Sequence, residues 1–373
     1  MLFRRRRPFK LREALTISLV WHCLFLGLIL IFFSFNNEWH ISSLIERFGA
    51  WDGANYIRIV NSGYLNTGDD ANMIAFFPLY PMLIRWISAI LPWPHLVGVF
   101  ISILSSLFGH SLLIVLLQSM GLDSSRALRV VFLSFCSPIF IFFFMIYTEG
   151  IFLLLTVLSL SFLYRDRFFI SAVLGFFAAM TRNFGIFLIF PFLSYIFFEK
   201  RKEVYSKLNA LYVLLIPAGW SLYLLLNKVV FGEYFHFLDV QNQHWHKKLA
   251  NPLVQIFSNL TRFHNSEAQG FELIYVDRAA TYIAIALLFS YLFAGRVRIK
   301  PGLLLWAFFQ LTILCSTTWW YSNLRVLALI FPLYIILEDF LSRRPAAYFV
   351  FLAGWFGLSL HVVRKFSLSE WMF

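Results

Sequence analysis

Charge is scarce in this chain. Asp, Glu, Lys and Arg supply 13% of its 373 residues, whereas hydrophobic residues supply 60%, with a mean hydropathy of +0.74. An ordinary soluble domain carries about a quarter charged residues, so a water-soluble fold is excluded. Cysteine is scarcer still. Cys23, Cys136 and Cys315 sit in or beside apolar runs, without pairing or metal-ligand spacing, which leaves no disulfide scaffold and no cysteine metal site; they read as small buried side chains. Internal repeats, low-complexity tracts and a soluble nucleotide-binding domain are also missing. No small-residue cleavage site follows the first apolar run, so the leading RRRR reads as an anchor on the inner side of a membrane.

What is present is a succession of apolar runs. A bilayer core of about 30 Å asks for roughly 17 to 25 apolar residues per helix. By that rule the runs 13–35, 95–118, 129–147, 150–164, 168–181, 184–198, 208–231, 276–294, 302–318, 324–341 and 346–362 predict about eleven transmembrane helices in one integral membrane domain, 1–373. The stretch 77–93 carries Pro78, Pro81, Pro92 and Arg85 and reads as an interfacial helix.

Basic residues set the orientation. With the amino terminus inside, 19 of the 31 Lys and Arg fall in short inner segments, from Arg4–Arg7 through Arg126, Arg129, Arg165, Arg167, Lys200–Lys202 and Arg296–Lys300 to Arg343 and Arg344. That is the positive-inside pattern, so the net charge of +12 is a topology signal. Nucleic-acid binding would need a basic face on a folded soluble domain, and none exists. Two long loops are left outside, 36–94 and 232–275, and they hold the polar chemistry.

In the first loop, Ile41, Leu44, Ile45 and Phe48 recur at helical spacing, as do Tyr56, Ile59, Val60 and Gly63, predicting two short amphipathic helices. Asp52 stands before the second of them, where an N-cap belongs, and capping is its plainest reading; catalysis is the alternative. Asp69 and Asp70 follow Gly68 and fit a solvated turn or a substrate site. Glu149, Arg182 and Arg325 sit at outer span ends, where an arginine either snorkels to water or meets a lipid phosphate. The second loop brings Asp239, Gln241, Gln243, His244, Trp245, His246 and Lys247. His244 and His246 are too weakly spaced for a metal site, so neither metal nor cofactor is expected. Trp39, Trp51, Trp93, Trp245, Trp319 and Trp320 read as an interfacial belt, able also to stack on a sugar.

The stretches WDGANYIRIVNSGY, AFFPLYP, YTEGIFLLL, TRNFG, FLDVQNQHW and RVLALIFPLY, in that order over residues 45–335, resemble the PIG-V type of polyprenyl-phosphate-dependent mannosyltransferases, in a short bacterial-like form. That resemblance implies a GT-C bundle with a catalytic aspartate in the first outer loop, matched here by Asp52. It also implies an arginine near the start of a late span, matched by Arg325, although Val326 stands where that family has tyrosine. The expected activity is transfer of a hexose, mannose above all, from a polyprenyl-phosphate donor to a lipid-linked or glycan acceptor. Trp51, Asp69, Asp70, Glu149, Arg182, Gln243, His244 and Arg325 are the expected substrate-binding residues. Membrane lipids would be its surroundings, in a bacterial cytoplasmic membrane or the endoplasmic reticulum, with the active face outside or lumenal. A transporter or flippase of envelope precursors is the alternative, against which stand the absence of inverted repeats and of ionisable residues near span centres other than His110.

Overall fold

The computed structural model describes residues 8–36, 40–200, 208–261 and 273–372. Arg4–Arg7, Trp39, residues 201–207 and part of the loop expected over 232–275 lie outside them. Among the described residues the chain is helical, and its one β-type pairing is an isolated bridge, Leu249 with Thr317.

The helices are α1 (Leu11–Asn36), α2 (Ile41–Phe48), α3 (Asp52–Ser62), α4 (Leu79–Ser88), α5 (Pro94–Ser119), α6 (Ser124–Phe135), α7 (Glu149–Leu163), α8 (Phe168–Thr181) and α9 (Ile189–Ser194). The chain continues through α10 (Leu215–Phe231), α11 (His236–Trp245), α12 (Pro252–Thr261), α13 (Leu273–Ala294), α14 (Pro301–Cys315), α15 (Asn323–Leu327), α16 (Phe331–Leu341) and α17 (Pro345–Ser367). Among the described residues five stretches are long and apolar enough to cross a membrane: Leu11–Phe35, Pro94–Ser119, Ala210–Phe231, Leu273–Ala294 and Pro345–Ser367. This is an all-α chain with the helices of an integral membrane protein.

Not all eleven expected spans take that form. Four are helical stretches of 10–17 residues: Glu149–Leu163, Phe168–Thr181, Asn183–Glu199 and Pro301–Cys315. At 1.5 Å per residue, 15 residues reach only about 22 Å. Two more are broken. The run 129–147 ends its α-helix at Phe135 and continues as a 3₁₀ turn, Pro138–Phe143; the run 324–341 divides into α15 and α16, with Pro332 in the first turn of α16. Proline offers no N–H and its ring clashes with the preceding turn, so neither run continues as one helix. Non-helical backbone is tolerated at membrane depth only inside protein, and residues 133–153 and 323–336 are almost wholly buried.

The core is aromatic. Phe135, Phe140, Phe142, Phe143 and Phe144 are all under 2% exposed, and they enclose a polar chain in which His22 Nε2 meets Ser106 Oγ at 2.9 Å and His110 Nε2 meets Ser134 Oγ at 3.0 Å. These bonds join α1, α5 and α6 with every ring nitrogen partnered, which makes His110 interhelical glue.

The two predicted amphipathic helices form as expected. Leu44 and Phe48 of α2 turn inward, as do Tyr56, Ile59 and Val60 of α3, and Gly63 ends α3 at φ +75°. The stretch 77–93 contains α4, whose Tyr80 is buried and donates to the carbonyl of Gly98 at 2.9 Å. Segments assigned to one side of the membrane also meet at one end: Lys200 pairs with Asp166, Lys300 with Glu199, and Arg126 with Glu338. At the other end the loops near residues 50, 147, 182, 245 and 320 converge.

Candidate functional site

A cleft of about 380 Å³ opens where those loops meet. Its construction begins at Gly150, where an added Cβ would lie 2.6 Å from the carbonyl oxygen of Ser102. Only glycine permits that approach of α7 to α5, and it seats the neighbouring Glu149 beneath the cleft floor. Glu149 is fully buried and accepts from Arg182 Nη1 at 2.9 Å and Arg325 Nε at 2.8 Å. Arg325 then reaches Asp52, donating from Nη1 to Oδ2 at 2.8 Å. Arg182 Nη1 also donates to Thr148 Oγ1 at 3.0 Å. Two carboxylates and two arginines from four distant segments thus form one chain. The Arg325 guanidinium lies 4.6 Å from the ring centre of Tyr147 and 4.9 Å from that of Phe142, a cation–π seat that holds it in place.

Asp52 does not cap α3. Trp51 occupies the cap position, Asp52 is the first helical residue, and no side-chain cap bond forms. An ion pair with a guanidinium outweighs a single cap bond, and the carboxylate turns toward Arg325. Its side chain is 32% exposed; Oδ2 is engaged and, among the described residues, Oδ1 accepts nothing. Trp51 takes φ 54°, ψ −118°, outside the left-handed well and sparsely populated for any residue with a Cβ. Neighbouring bonds hold this geometry: the Asp52 N–H donates to Tyr147 Oη at 3.2 Å, and that hydroxyl donates to the carbonyl of Ala50 at 3.3 Å. Ile146 N–H donates to the carbonyl of Phe48 at 2.8 Å, tying the end of α2 to the same loop.

The Arg325 side is also fixed. Asp277, fully buried on α13, accepts the backbone N–H groups of Ser322 on Oδ2 and Leu324 on Oδ1, both at 2.7 Å. Ser322 has φ 63°, and the carboxylate supplies from another helix the cap that α15 lacks locally. Thr281 Oγ1 accepts from Asn323 Nδ2 at 3.2 Å.

Of the residues expected at a site, Trp51, Asp52, Arg182 and Arg325 line the cleft, and Glu149 lies under it. The others lie elsewhere. Asp69 and Asp70 begin a 3₁₀ turn, with Asp70 4.0 Å from Arg58; Gln243 is exposed; and His244 Nδ1 meets Asn72 Nδ2 at 3.1 Å. Helix periodicity explains the second-loop difference, since α11 turns Gln241 and Trp245 toward the cleft and Gln243 and His244 away. Lys247 also reaches the cleft, and Tyr147, Thr148 and Asp277 support it unanticipated. Asp277 lay hidden as a lone carboxylate at the start of an apolar run.

Aromatic side chains line much of the cleft. Trp51, Phe76, Trp245, Trp319, Tyr321 and Trp371 all contribute, with Trp319 stacked on Tyr321 at 4.0 Å. Trp320 is instead buried, and Trp93 is 61% exposed. The described residues that could jointly ligate an ion are Glu233, His236 and Asp239, with donor atoms within 4.8 Å of one another; none lines the cleft. Burial, and then the positive charges of Arg182 and Arg325, lower the Lys247 ammonium to about 8 against an opposing pull from Asp52.

Such an arrangement presents a positioned carboxylate oxygen, three cationic side chains and flat apolar walls within one opening. Compared with models of protein families, with curated proteins and with solved structures, the chain gives no match.

Proposed function

We propose that this protein is a glycosyltransferase of GT-C type, moving a hexose, with mannose the first candidate, from a polyprenyl-phosphate donor to a lipid-linked or glycan acceptor on the outer or lumenal face of its membrane. The observation that carries the reading is Asp52: Arg325 fixes one carboxylate oxygen at 2.8 Å, and the other oxygen is left to an aromatic-walled cleft. A carboxylate held in this way suits a general base.

In the proposed step the acceptor hydroxyl oxygen attacks the anomeric carbon, and its proton passes to the free oxygen of Asp52. The bond from the anomeric carbon to the phosphate oxygen breaks, and its electron pair leaves with the lipid phosphate. Arg182 and Arg325 supply positive charge where that anion develops. Trp51, Trp245 and Trp319 offer faces on which sugar rings stack. A lipid-anchored donor keeps its tail in the bilayer and its head at the level of the cleft, which explains why the polar groups lie at helix ends.

Membranes containing the protein, supplied with a radiolabelled lipid-phosphate sugar, are expected to label the acceptor. Nucleotide sugar should fail once synthesis of the lipid-linked form is blocked. Undiminished transfer from nucleotide sugar under that block contradicts the donor assignment. A transporter of the same lipids would move the labelled head across the membrane without changing its covalent attachment.

A further inference from the structure

We infer that Lys247 is the residue that grips the phosphate of the lipid substrate, which neither the pattern of the chain nor the aspartate–arginine chain identifies. This inference rests on the glycosyltransferase reading for its ligand and on independent geometry for its site. Three cationic side chains line the cleft, and two of them already serve protein carboxylates: Arg325 holds Asp52 and Glu149, and Arg182 holds Glu149. Lys247 differs. Among the described residues no carboxylate, hydroxyl or carbonyl lies within bonding distance of its ammonium, although its side chain is half-buried in the wall of the cleft. A desolvated ammonium with no partner is costly, and an arriving anion removes that cost.

The backbone around Lys247 is fixed, so it is not a loop residue that happens to face inward. Its own N–H donates to the carbonyl of Gln241 at 3.1 Å, closing the end of α11, where His246 takes φ 51°. On the following side Leu249 pairs with Thr317, Ala250 N–H donates to Ser316 at 2.7 Å, and Thr318 N–H donates to Lys248 at 2.9 Å. The Thr318 hydroxyl accepts from Lys248 N–H and donates to the carbonyl of His246, each at 2.9 Å. The second outer loop is therefore stitched to the segment that leads into α15 and Arg325. An ammonium aimed into a cleft from so fixed a backbone is a preorganised site for a phosphate, which an ammonium meets as a point charge. Ligand and site chemistry agree: the lipid phosphate, a diester in the donor and a monoester once the sugar has left, brings the negative charge, and its alkyl tail brings the apolar length that membrane-facing helices accept.

The test uses the full chain in lipid nanodiscs, with decyl phosphate and inorganic phosphate as probes and no sugar acceptor. Decyl phosphate should bind more tightly than inorganic phosphate. Lys247→Gln should weaken both by about tenfold or more, the loss of one charge-assisted hydrogen bond; Lys247→Arg should restore most of the affinity, and Lys248→Gln should change nothing. A melting curve for each variant separates lost binding from lost fold. Unchanged affinity in a folded Lys247→Gln protein overturns the assignment. Equal affinity for the two probes overturns its lipid part, since a free-phosphate site gains nothing from a tail. If decyl phosphate binds through Lys247 while no sugar is ever transferred, the transferase reading fails and the phosphate site stands. If sugar is transferred equally well by wild type and Lys247→Gln, the phosphate site fails alone.

Discussion

The two ends of the helical bundle each bury a carboxylate–arginine network, and they solve the same electrostatic problem differently. At the end assigned to the inner side, Glu338 and Asp339, at most 2% exposed, meet Arg126, Arg129 and Arg343 through contacts of 2.7–3.2 Å. Its carboxylates are adjacent on α16 and face arginines that reach them from partly exposed positions. The network closes on itself and ties helices together. At the other end, Glu149 plays the part of Glu338 beneath Arg182 and Arg325, but the chain does not close: it terminates at Asp52, 32% exposed in a cleft that Lys247 also enters. A buried ion pair is weak evidence for stability, because desolvation offsets most of the attraction. What differs between the ends is access, and an accessible carboxylate fixed by an arginine has chemistry available to it that a sealed one lacks.

The largest expected effect treats the two ends alike. Glu149→Ala strips Arg182 of its carboxylate and Glu338→Ala strips Arg129, and each should cost up to about 3–5 kcal/mol of stability, read as a lower melting temperature in detergent. Similar losses at both ends, together with normal transfer per folded molecule in the Glu338 variant, would sharpen the contrast. Loss of transfer in folded Glu338→Ala protein would break it. Arg325→Lys comes next. Lysine cannot fork between Asp52 and Glu149, so transfer should fall by about 10²-fold, the usual cost of one preorganised donor, with the fold kept. Asp277→Asn keeps the shape but gives up a carboxylate that accepts two backbone N–H groups at the start of α15; about 1–3 kcal/mol of stability should go, and donor use should weaken because Arg325 shifts. If Asp277→Asn lowers stability alone, Asp277 is a cap and nothing more.

The smallest effect concerns pH. Burial and the nearby Arg182 and Arg325 lower Lys247 to about 8, against Asp52, and Tyr56, Tyr147 and Tyr321 also face the cleft. Lys247 is charged below that value and neutral above it, so decyl phosphate binding should fall by about tenfold as pH rises from 7 to 9, in step with the charged fraction. Bound phosphate moves the midpoint upward. Lys247→Arg should remove this dependence, because guanidinium stays charged throughout.

Much of this was legible in the sequence, and the failures have physical causes. Apolar length revealed the five long helices, and helical spacing revealed α2 and α3, since burial of one face leaves a periodic trace. The runs 129–147 and 324–341 read as spans because burial inside protein and burial in lipid select the same side chains; Pro138 and Pro332 were the local signals that helix would not persist. Asp52, Glu149, Arg182 and Arg325 stood out as charges at the ends of apolar runs, yet nothing local showed that they would meet, because they join segments up to 273 residues apart. The local pattern alone read Asp52 as a cap, because its arginine lies 273 residues away, and it was the family resemblance that pointed to catalysis. Gln243 and His244 were chosen over Gln241 and Lys247 because the orientation of α11 is set by packing, with Phe237 and Val240 buried.

In the proposed reaction Asp52 is the base that takes the proton from the acceptor hydroxyl, and one measurement reaches that role directly: the rate of sugar transfer from a lipid-phosphate donor by purified wild-type and Asp52→Asn protein in proteoliposomes. Asparagine is nearly isosteric, is tolerated at a helix start, and leaves Arg325 an oxygen to bond. Asp52→Asn protein should insert, melt close to wild type, still bind decyl phosphate, and transfer sugar at least about a hundredfold more slowly, as loss of a general base requires. Near-normal transfer by that variant would contradict that role, leaving Asp52 as no more than the anchor for Arg325.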